Sequence, residues 1–312
     1  MRVAVIDVGT NTTRLFIADV AAGRVQGTHT RIGQVTRLGA GVDASGCLAA
    51  DAMAREHTVL TDYAAQIRAA HVDRAVAVMT SAVRDASNGA AFAREVAARY
   101  GVETHILTGD AEAALTYRGA TAELSPEDTE RILVVDIGGG STELVLGRGT
   151  RADFHVSTQA GVVRQADRHI TTDPPSEAEL KALASDVKAT LTAAVPEQQR
   201  HGVERTLAVA GTPTSLAAID LALAPYDARR VHGHTLTRAR VAELFTRIRE
   251  MPLEQRRTLT GINPDRANVI IPGMVILAAV MDLFGLEQVE VSEHDILRGA
   301  ALHYAEAGSP GA

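Results

Sequence analysis

The stretch Ile132-Leu133-Val134-Val135-Asp136-Ile137-Gly138-Gly139-Gly140-Ser141-Thr142-Glu143-Leu144-Val145-Leu146 decides how the rest of the chain is read. Ile132 to Val135 is a short apolar run of the kind that forms a buried strand, and Asp136 closes it. Three glycines and two hydroxyl residues then predict a tight turn, from which Leu144, Val145 and Leu146 start a second strand. Glycines there remove side chains and permit positive φ. Backbone N–H groups can then converge into a nest that holds an anion. Asp136 and Glu143 bracket the turn, placed to hold a divalent cation. Amides, hydroxyls and two carboxylates together suit a phosphate with Mg2+. An ordinary β-hairpin with a glycine-rich turn accounts for the same letters, and short glycine motifs are weak on their own.

The pattern recurs at the N-terminus, in Val3-Ala4-Val5-Ile6-Asp7-Val8-Gly9-Thr10-Asn11-Thr12-Thr13-Arg14-Leu15-Phe16-Ile17. Without a gap, Asp7 matches Asp136, Gly9 matches Gly138, Thr12 matches Ser141, Thr13 matches Thr142 and Leu15 matches Leu144. Arg14 takes the place of Glu143. Two such hairpins in one chain predict a duplicated domain with a phosphate clamp between the halves.

Composition agrees with that reading. A length of 312 residues suggests two domains, and a hydrophobic fraction of 46% is ample for two cores. Aromatics are scarce and Trp is absent, so Val, Leu, Ile and Ala must fill them. A formal net charge of −7 argues against a general nucleic-acid binder. A polyanionic ligand needs a local basic cleft that overcomes the global field. The lone Cys47 excludes an internal disulfide and a cysteine metal cluster, and fits a reducing cytoplasm. No signal peptide is expected, because Asp7 interrupts the first apolar run. No membrane span is expected either, since the longest apolar stretch, Val269 to Phe284, is short and holds Pro272 and Asp282.

Between the hairpins, Thr28 to Thr36 reads as a strand, and Arg37 to Gly41 as either a plain loop or a cleft-facing turn. Asp51 to Ala70 reads as a helix with Val59, Leu60, Tyr63 and Ile67 on one side. The strand Asp73 to Met79 delivers Thr80 to Asn88 at its C-terminal end, where α/β folds collect ligand groups. Arg84 there is a candidate phosphate fork, set against an ordinary surface arginine. Thr108 or Asp110 caps a helix with Glu112 in its first turn. On spacing alone, Glu112 reads better as a partner of the helix dipole than as a catalytic group. The polar segment Ala122 to Arg131 marks a boundary between domains 1–123 and 124–312, with the last helix free to pack back on the first.

In the second half, Ser176 to Glu179 is a capping box. The strand Arg205 to Ala210 feeds Gly211-Thr212-Pro213-Thr214, a third anion-friendly corner at a helix N-terminus. His232 and His234 lack the partners that a metal site needs. The tail Gly308 to Ala312 is expected to be disordered.

Taken together, these segments resemble the exopolyphosphatase/guanosine pentaphosphatase (Ppx/GppA) phosphatases of the actin, hexokinase and Hsp70-like superfamily, over nearly the whole chain. Asp7 to Leu15 is similar to the family's first phosphate motif, Thr80 to Asn88 to its Thr-x-Ala-x-Arg-x-Ala-x-Asn segment, Asp136 to Glu143 to the second phosphate motif and Gly211 to Ala217 to the third. The resemblance implies an α/β fold of two actin-like (ribonuclease H-like) domains with an active-site cleft between them. It implies phosphate contacts from Gly9, Thr10, Asn11, Thr12, Gly138, Gly139, Gly140, Ser141, Thr142, Gly211 and Thr212. It makes Glu112 the base that activates water, reversing the reading from spacing. Asp136 and Glu143 serve Mg2+ (or Mn2+) and orient water, and Arg84 and Arg14 bind phosphate oxygens, unless Arg14 is structural. Two positions depart from the family pattern: Ala111 stands where a second glutamate is frequent, and Leu297 where an arginine is usual. The implied chemistry is removal of the terminal phosphate of inorganic polyphosphate. Short chains are expected, because the sequence ends before the extra domains of long members. Guanosine pentaphosphate is the alternative substrate; an actin-like kinase or a nucleotide sensor without turnover is less expected. A homodimer stays open.

Overall fold

The computed structural model describes residues 1–307, so the tail from Gly308 to Ala312 lies outside the described residues. In chain order the elements begin β1 (Arg2–Val8), β2 (Thr12–Ala21), β3 (Arg24–Val35), α1 (Val42–Ser45), α2 (Ala50–Ala69), β4 (Arg74–Met79), α3 (Ser81–Asp85), α4 (Gly89–Tyr100), β5 (Glu103–Ile106) and α5 (Gly109–Thr121). Next come β6 (Arg131–Ile137), β7 (Thr142–Arg148), β8 (Arg151–Thr158), α6 (Val162–His169), α7 (Glu177–Ala194), β9 (Arg205–Val209), α8 (Gly211–Asp220) and α9 (Ala228–Val231). The chain closes with β10 (Thr235–Thr237), α10 (Arg238–Ile248), α11 (Leu253–Arg257), α12 (Ile270–Phe284), β11 (Gln288–Val291) and α13 (Ile296–Glu306). None of the described helices is long and apolar enough to cross a membrane.

There are two compact units: Met1–Glu123 together with the segment from His294, and Leu124–Glu293. The sheet of the first runs β3-β2-β1-β4-β5. Its β1–β2 and β2–β3 pairs are antiparallel, and β1–β4 and β4–β5 are parallel. The sheet of the second runs β10-β11-β9-β6-β7-β8. Its β6–β7 and β7–β8 pairs are antiparallel, β6–β9 and β9–β11 are parallel, and β10 is an antiparallel edge. Numbered within its own unit, the first sheet has the order 3-2-1-4-5 of ribonuclease H-like, actin-like domains, and the second the order 3-2-1-4-6-5, the same core with the short edge strand β10 added beyond β11. The α/β class expected from the repeated hairpin is present twice.

The first strand of each hairpin is central and covered on both faces, which is why it is apolar almost throughout. Along β1, alternate residues serve different layers. Ala4, Ile6 and Val8 pack with Val59, Leu60, Tyr63 and Ile67 of α2. Val3 and Val5 pack with Ile296, Leu297, Ala300, Ala301 and Tyr304 of α13. Without α13, that second face of the sheet would lie open to water. Burying a residue such as Leu297 stabilises the unit by about 1.5–3 kcal/mol. The position where the family usually has an arginine is thus filled here by core. Ala111, the other departure, is partly buried against the same cluster.

Helices α5 and α13 cross with almost no space between backbones. A Cβ on Gly119 would lie 1.9 Å from the Asp295 carbonyl oxygen, and one on Gly299 1.8 Å from that of Leu115. This crossing seats α5, the helix that carries Glu112. In the second unit α7 opens with the capping box predicted at Ser176 and Glu179, and its Leu180, Leu183, Val187 and Leu191 face the core.

Candidate active site

The two hairpin turns are built alike. The Gly9 N–H donates to the Thr12 carbonyl at 3.2 Å, and the Gly138 N–H to that of Ser141 at 3.0 Å. A Cβ on Gly9 would sit 2.7 Å from the same carbonyl oxygen, and one on Gly138 3.0 Å from its own. Glycine is required because the turn closes over that atom. These two amides are consumed by the turn, so the anion nest must come from their neighbours.

Carbonyl contacts orient those neighbours. Gly138 and Gly139 carbonyls accept from Val162 N at 3.0 Å and Val163 N at 2.8 Å, first-turn amides of α6. Such amides have no partner inside their helix. A trans peptide points its N–H opposite its C=O. Pinning these carbonyls on α6 turns the Gly139 and Gly140 N–H groups to the other side. Gly161 permits the contact, since a Cβ there would lie 2.2 Å from the Gly140 carbonyl carbon. In the first unit, Thr10 O accepts from Gly39 N at 2.8 Å, and Asn11 O from Thr36 N and Arg37 N at 3.1 Å each. The Thr10 hydroxyl accepts from Ala82 N at 3.2 Å. The Arg37 to Gly41 loop, open to two readings from sequence, buttresses the first turn. The Thr142 hydroxyl donates to the Ala160 carbonyl at 2.6 Å and so holds the second turn in place.

Electrostatics separates the turns. Asp7 lies opposite Arg14 in β1–β2, and Asp136 opposite Glu143 in β6–β7. Arg14 donates from Nε and Nη2 to Asp7 Oδ2 at 2.9 and 2.7 Å, and from Nη1 to Asp295. Arg31 donates to the same Asp295 oxygen at 3.1 Å. These bonds hold Arg14 between Asp7 and Asp295. Burial pushes the Asp7 carboxyl above the ordinary carboxylate range, against the pull of Arg14. Asp7 Oδ1 and Asn11 Oδ1 are buried with no hydrogen-bond partner.

Asp136 and Glu143 are both buried. Like charges directly opposite in an antiparallel pair are destabilising. The Ser157 hydroxyl donates to Glu143 Oε1 at 2.7 Å. Among the described residues no group of three or more His, Cys, Asp or Glu gathers as a metal cage, and His234 pairs instead with Asp220 at 2.7 Å. Two carboxylates offering only oxygen fit a hard cation such as Mg2+ or Mn2+, which keeps several waters and takes the rest of its shell from phosphate oxygens.

Arg84 and Glu112 come together. Arg84 Nη1 donates to Glu112 Oε2 at 2.7 Å and to the Leu107 carbonyl at 3.0 Å. Thr108 caps α5, accepting from Ala111 N at 3.2 Å, and places Glu112 in the first turn. Glu112 thus lies in the first turn, where the helix dipole acts, and also pairs with Arg84. At the third motif, Arg266 lies over Gly211, with Nη1 2.9 Å from where a Cβ would be. Gly273 of α12 packs on Thr212, whose Oγ1 is 2.3 Å from its ideal Cβ position.

Three residues near these turns had no signal in sequence. Arg266 follows a Pro-Asp turn without periodicity. Arg164 donates from Nε to the Gly140 carbonyl at 2.9 Å. Glu56 is fully buried beneath the first hairpin, with both carboxyl oxygens 2.7 Å from the Thr13 hydroxyl. Burial raises its pKa from 4.5 to about 7, against the hydroxyls of Thr13 and Thr36 and assisted by Asp7. A carboxyl raised in the native state stabilises it fully below about 4.5, and that contribution is lost as pH rises through about 7. Between pH 5 and 8.5, wild type should lose on the order of 2–3 kcal/mol relative to Glu56→Gln in urea unfolding. Parallel pH profiles for the two proteins would contradict this.

The sequence pattern of the Ppx/GppA phosphatase family matches residues 16–303. Exopolyphosphatase 2 of Mycobacterium tuberculosis is 38% identical over 317 aligned residues, covering 97% of this chain and 98% of that protein. A crystal structure of the Aquifex aeolicus Ppx/GppA family member superposes with a TM-score of 0.81 at 30% identity, over 99% of both chains. A Cytophaga hutchinsonii exopolyphosphatase, 24% identical with full coverage of both chains, shares the fold at a TM-score of 0.88. The repeated turns, the acidic pair opposite the second of them and these matches along the chain agree: the protein belongs to the Ppx/GppA phosphatase family.

Proposed function

We propose that the protein is an exopolyphosphatase that hydrolyses the terminal phosphoanhydride of inorganic polyphosphate, preferring short chains. The observation that carries this reading is the Arg84–Glu112 pair, a phosphate fork and a carboxylate base at 2.7 Å. Arg84 binds an oxygen of the terminal phosphoryl group, and Glu112 beside it acts as the base. It takes a proton from water as the water oxygen bonds to phosphorus, and the bridging P–O bond breaks. Within the first unit the Asn11 amide, and within the second the Gly139 and Gly140 amides, are the donors offered to phosphate oxygens. Asp136 and Glu143 would hold Mg2+ or Mn2+, which supplies neutralisation of charge on the leaving phosphate. The name of the M. tuberculosis relative supports the substrate class. A net charge of −7 supports short chains, because a long polyanion reaches beyond the local arginines into a repelling field. The cytoplasm is the proposed compartment, in keeping with a free, exposed Cys47.

Phosphate release from tripolyphosphate, a long polyphosphate, guanosine pentaphosphate and ATP, each with and without Mg2+, tests the proposal. Tripolyphosphate should be turned over fastest, long chains should give a ladder of intermediates on a gel, and exhaustive chelation should abolish release. Full activity after chelation would remove the metal from the scheme. Faster turnover of guanosine pentaphosphate would reassign the substrate.

A further inference from the structure

A groove of about 930 Å3 runs over α12 between α7 and α10, and none of its lining belongs to the turns described above. Its floor is apolar, with Leu180, Val241, Phe245, Met274, Val275 and Leu283. Its rim is cationic: Lys181, Lys188, Arg200, Arg238 and Arg249 against Glu177 and Asp282. Arg238 pairs with Asp282 and Glu287, and Arg249 with Glu250, which leaves Lys181, Lys188 and Arg200 against Glu177 and the excess positive. The whole chain has the opposite balance, 38 acidic to 31 basic residues. Lys181 and Lys188 are moreover its only lysines. Both are exposed, and neither has a hydrogen-bond or ion-pair partner among the described residues. Arg249 Nε is buried there without an acceptor.

The spacing of the charges indicates the occupant. Residues seven apart stand on one side of a helix, roughly 10 Å apart along its axis. Cations are therefore spread along the groove rather than gathered at one end. An acyl chain with one carboxylate would answer a single end. A helix with an apolar stripe and acidic flanks answers the floor and the rim together. The α7 wall, from Glu177 to Thr192, is about 22 Å long, room for a helix of about 15 residues. A second copy fits poorly. An isologous contact sets a patch against itself, and here cation would meet cation. The exposed large apolar residues among those described, Met1, Ile32, Ile106 and Tyr226, form no helical stripe that could be donated. We propose that this groove docks an acidic amphipathic helix of another protein, its apolar face on α12 and its carboxylates against Lys181 and Lys188.

The probe is a stapled 15-residue helix with leucines at i, i+3, i+4 and i+7 and glutamates flanking them, compared with the same helix carrying lysines. Fluorescence anisotropy on the full chain should show saturable binding of the glutamate helix, about fivefold or more tighter than the lysine helix at low salt. The double substitution Lys181→Glu and Lys188→Glu should reverse that preference, and Phe245→Asp should abolish binding of both. Should Phe245→Asp fail to fold by circular dichroism, the exposed lysine swap carries the test. Carbodiimide coupling of the probe should map to Lys181 and Lys188, the Met1 amine being the other amine in the chain. Equal binding of the two helices, or coupling confined to Met1, would overturn the proposal. So would a dimer dissociated by Phe245→Asp, which gives the groove to a second copy. Palmitate binding lost in Phe245→Asp, with no helix binding, would give it to an acyl carboxylate and equally overturn the proposal.

Discussion

Glu112→Gln is expected to lower kcat by roughly 10²–10⁴, the usual worth of a positioned acid–base group, while KM stays within a fewfold. That is about 3–5 kcal/mol of transition-state stabilisation. Glutamine keeps the shape and the helix position but cannot take a proton from water. Ground-state binding should change little, because a carboxylate beside phosphate repels the substrate. Arg84 remains in place and loses only its charged partner on α5. Arg84→Ala should look different, raising KM as well as lowering kcat, because an arginine that grips phosphate acts in both states. Near wild-type turnover in Glu112→Gln would move the base elsewhere, with Glu143 the first candidate.

The second large effect concerns the seat of that helix. Gly299→Val should prevent stable folding of the first unit, and Gly299→Ala should cost about 1–3 kcal/mol, the usual range for overpacking. The Cβ of either would meet the Leu115 carbonyl oxygen at 1.8 Å, a backbone atom that cannot step aside without moving α5. Relaxation would shift Glu112 relative to Arg84, so surviving Gly299→Ala should also lose turnover. Gly27→Ala is the control: a Cβ there meets nothing within 4 Å, and its effect should stay within about 0.5 kcal/mol. Equal urea midpoints for Gly299→Ala and Gly27→Ala would show that the crossing is looser than described.

The hairpins were legible because three independent signals coincide in them: an apolar run, a closing aspartate and a glycine that the turn cannot replace. The repeat at Gly9 and Gly138 carried the two-sheet architecture for the same reason. Partners far apart in sequence were not legible. The pairing of Arg14 with Asp295, 281 residues on, leaves no trace in the sequence around either residue. Glu56 hides in an amphipathic helix whose pattern predicts only that Val59, Leu60 and Tyr63 turn inward; its burial depends on Thr13 and Thr36 lying above it. The loop from Arg37 looked ordinary because its work is done by backbone amides, which leave no trace in side-chain chemistry. Leu297 is the reverse case. Resemblance directs attention to a missing arginine there, while packing uses the position for the face of the sheet that α13 covers.

The most direct test of the account is hydrolysis of tripolyphosphate by the wild-type protein with Mg2+ in ¹⁸O-labelled water. Orthophosphate should be released without any acceptor, carrying one labelled oxygen when it comes from the attacked terminal group. No release, or release that appears only with a phosphoryl acceptor present, would contradict it.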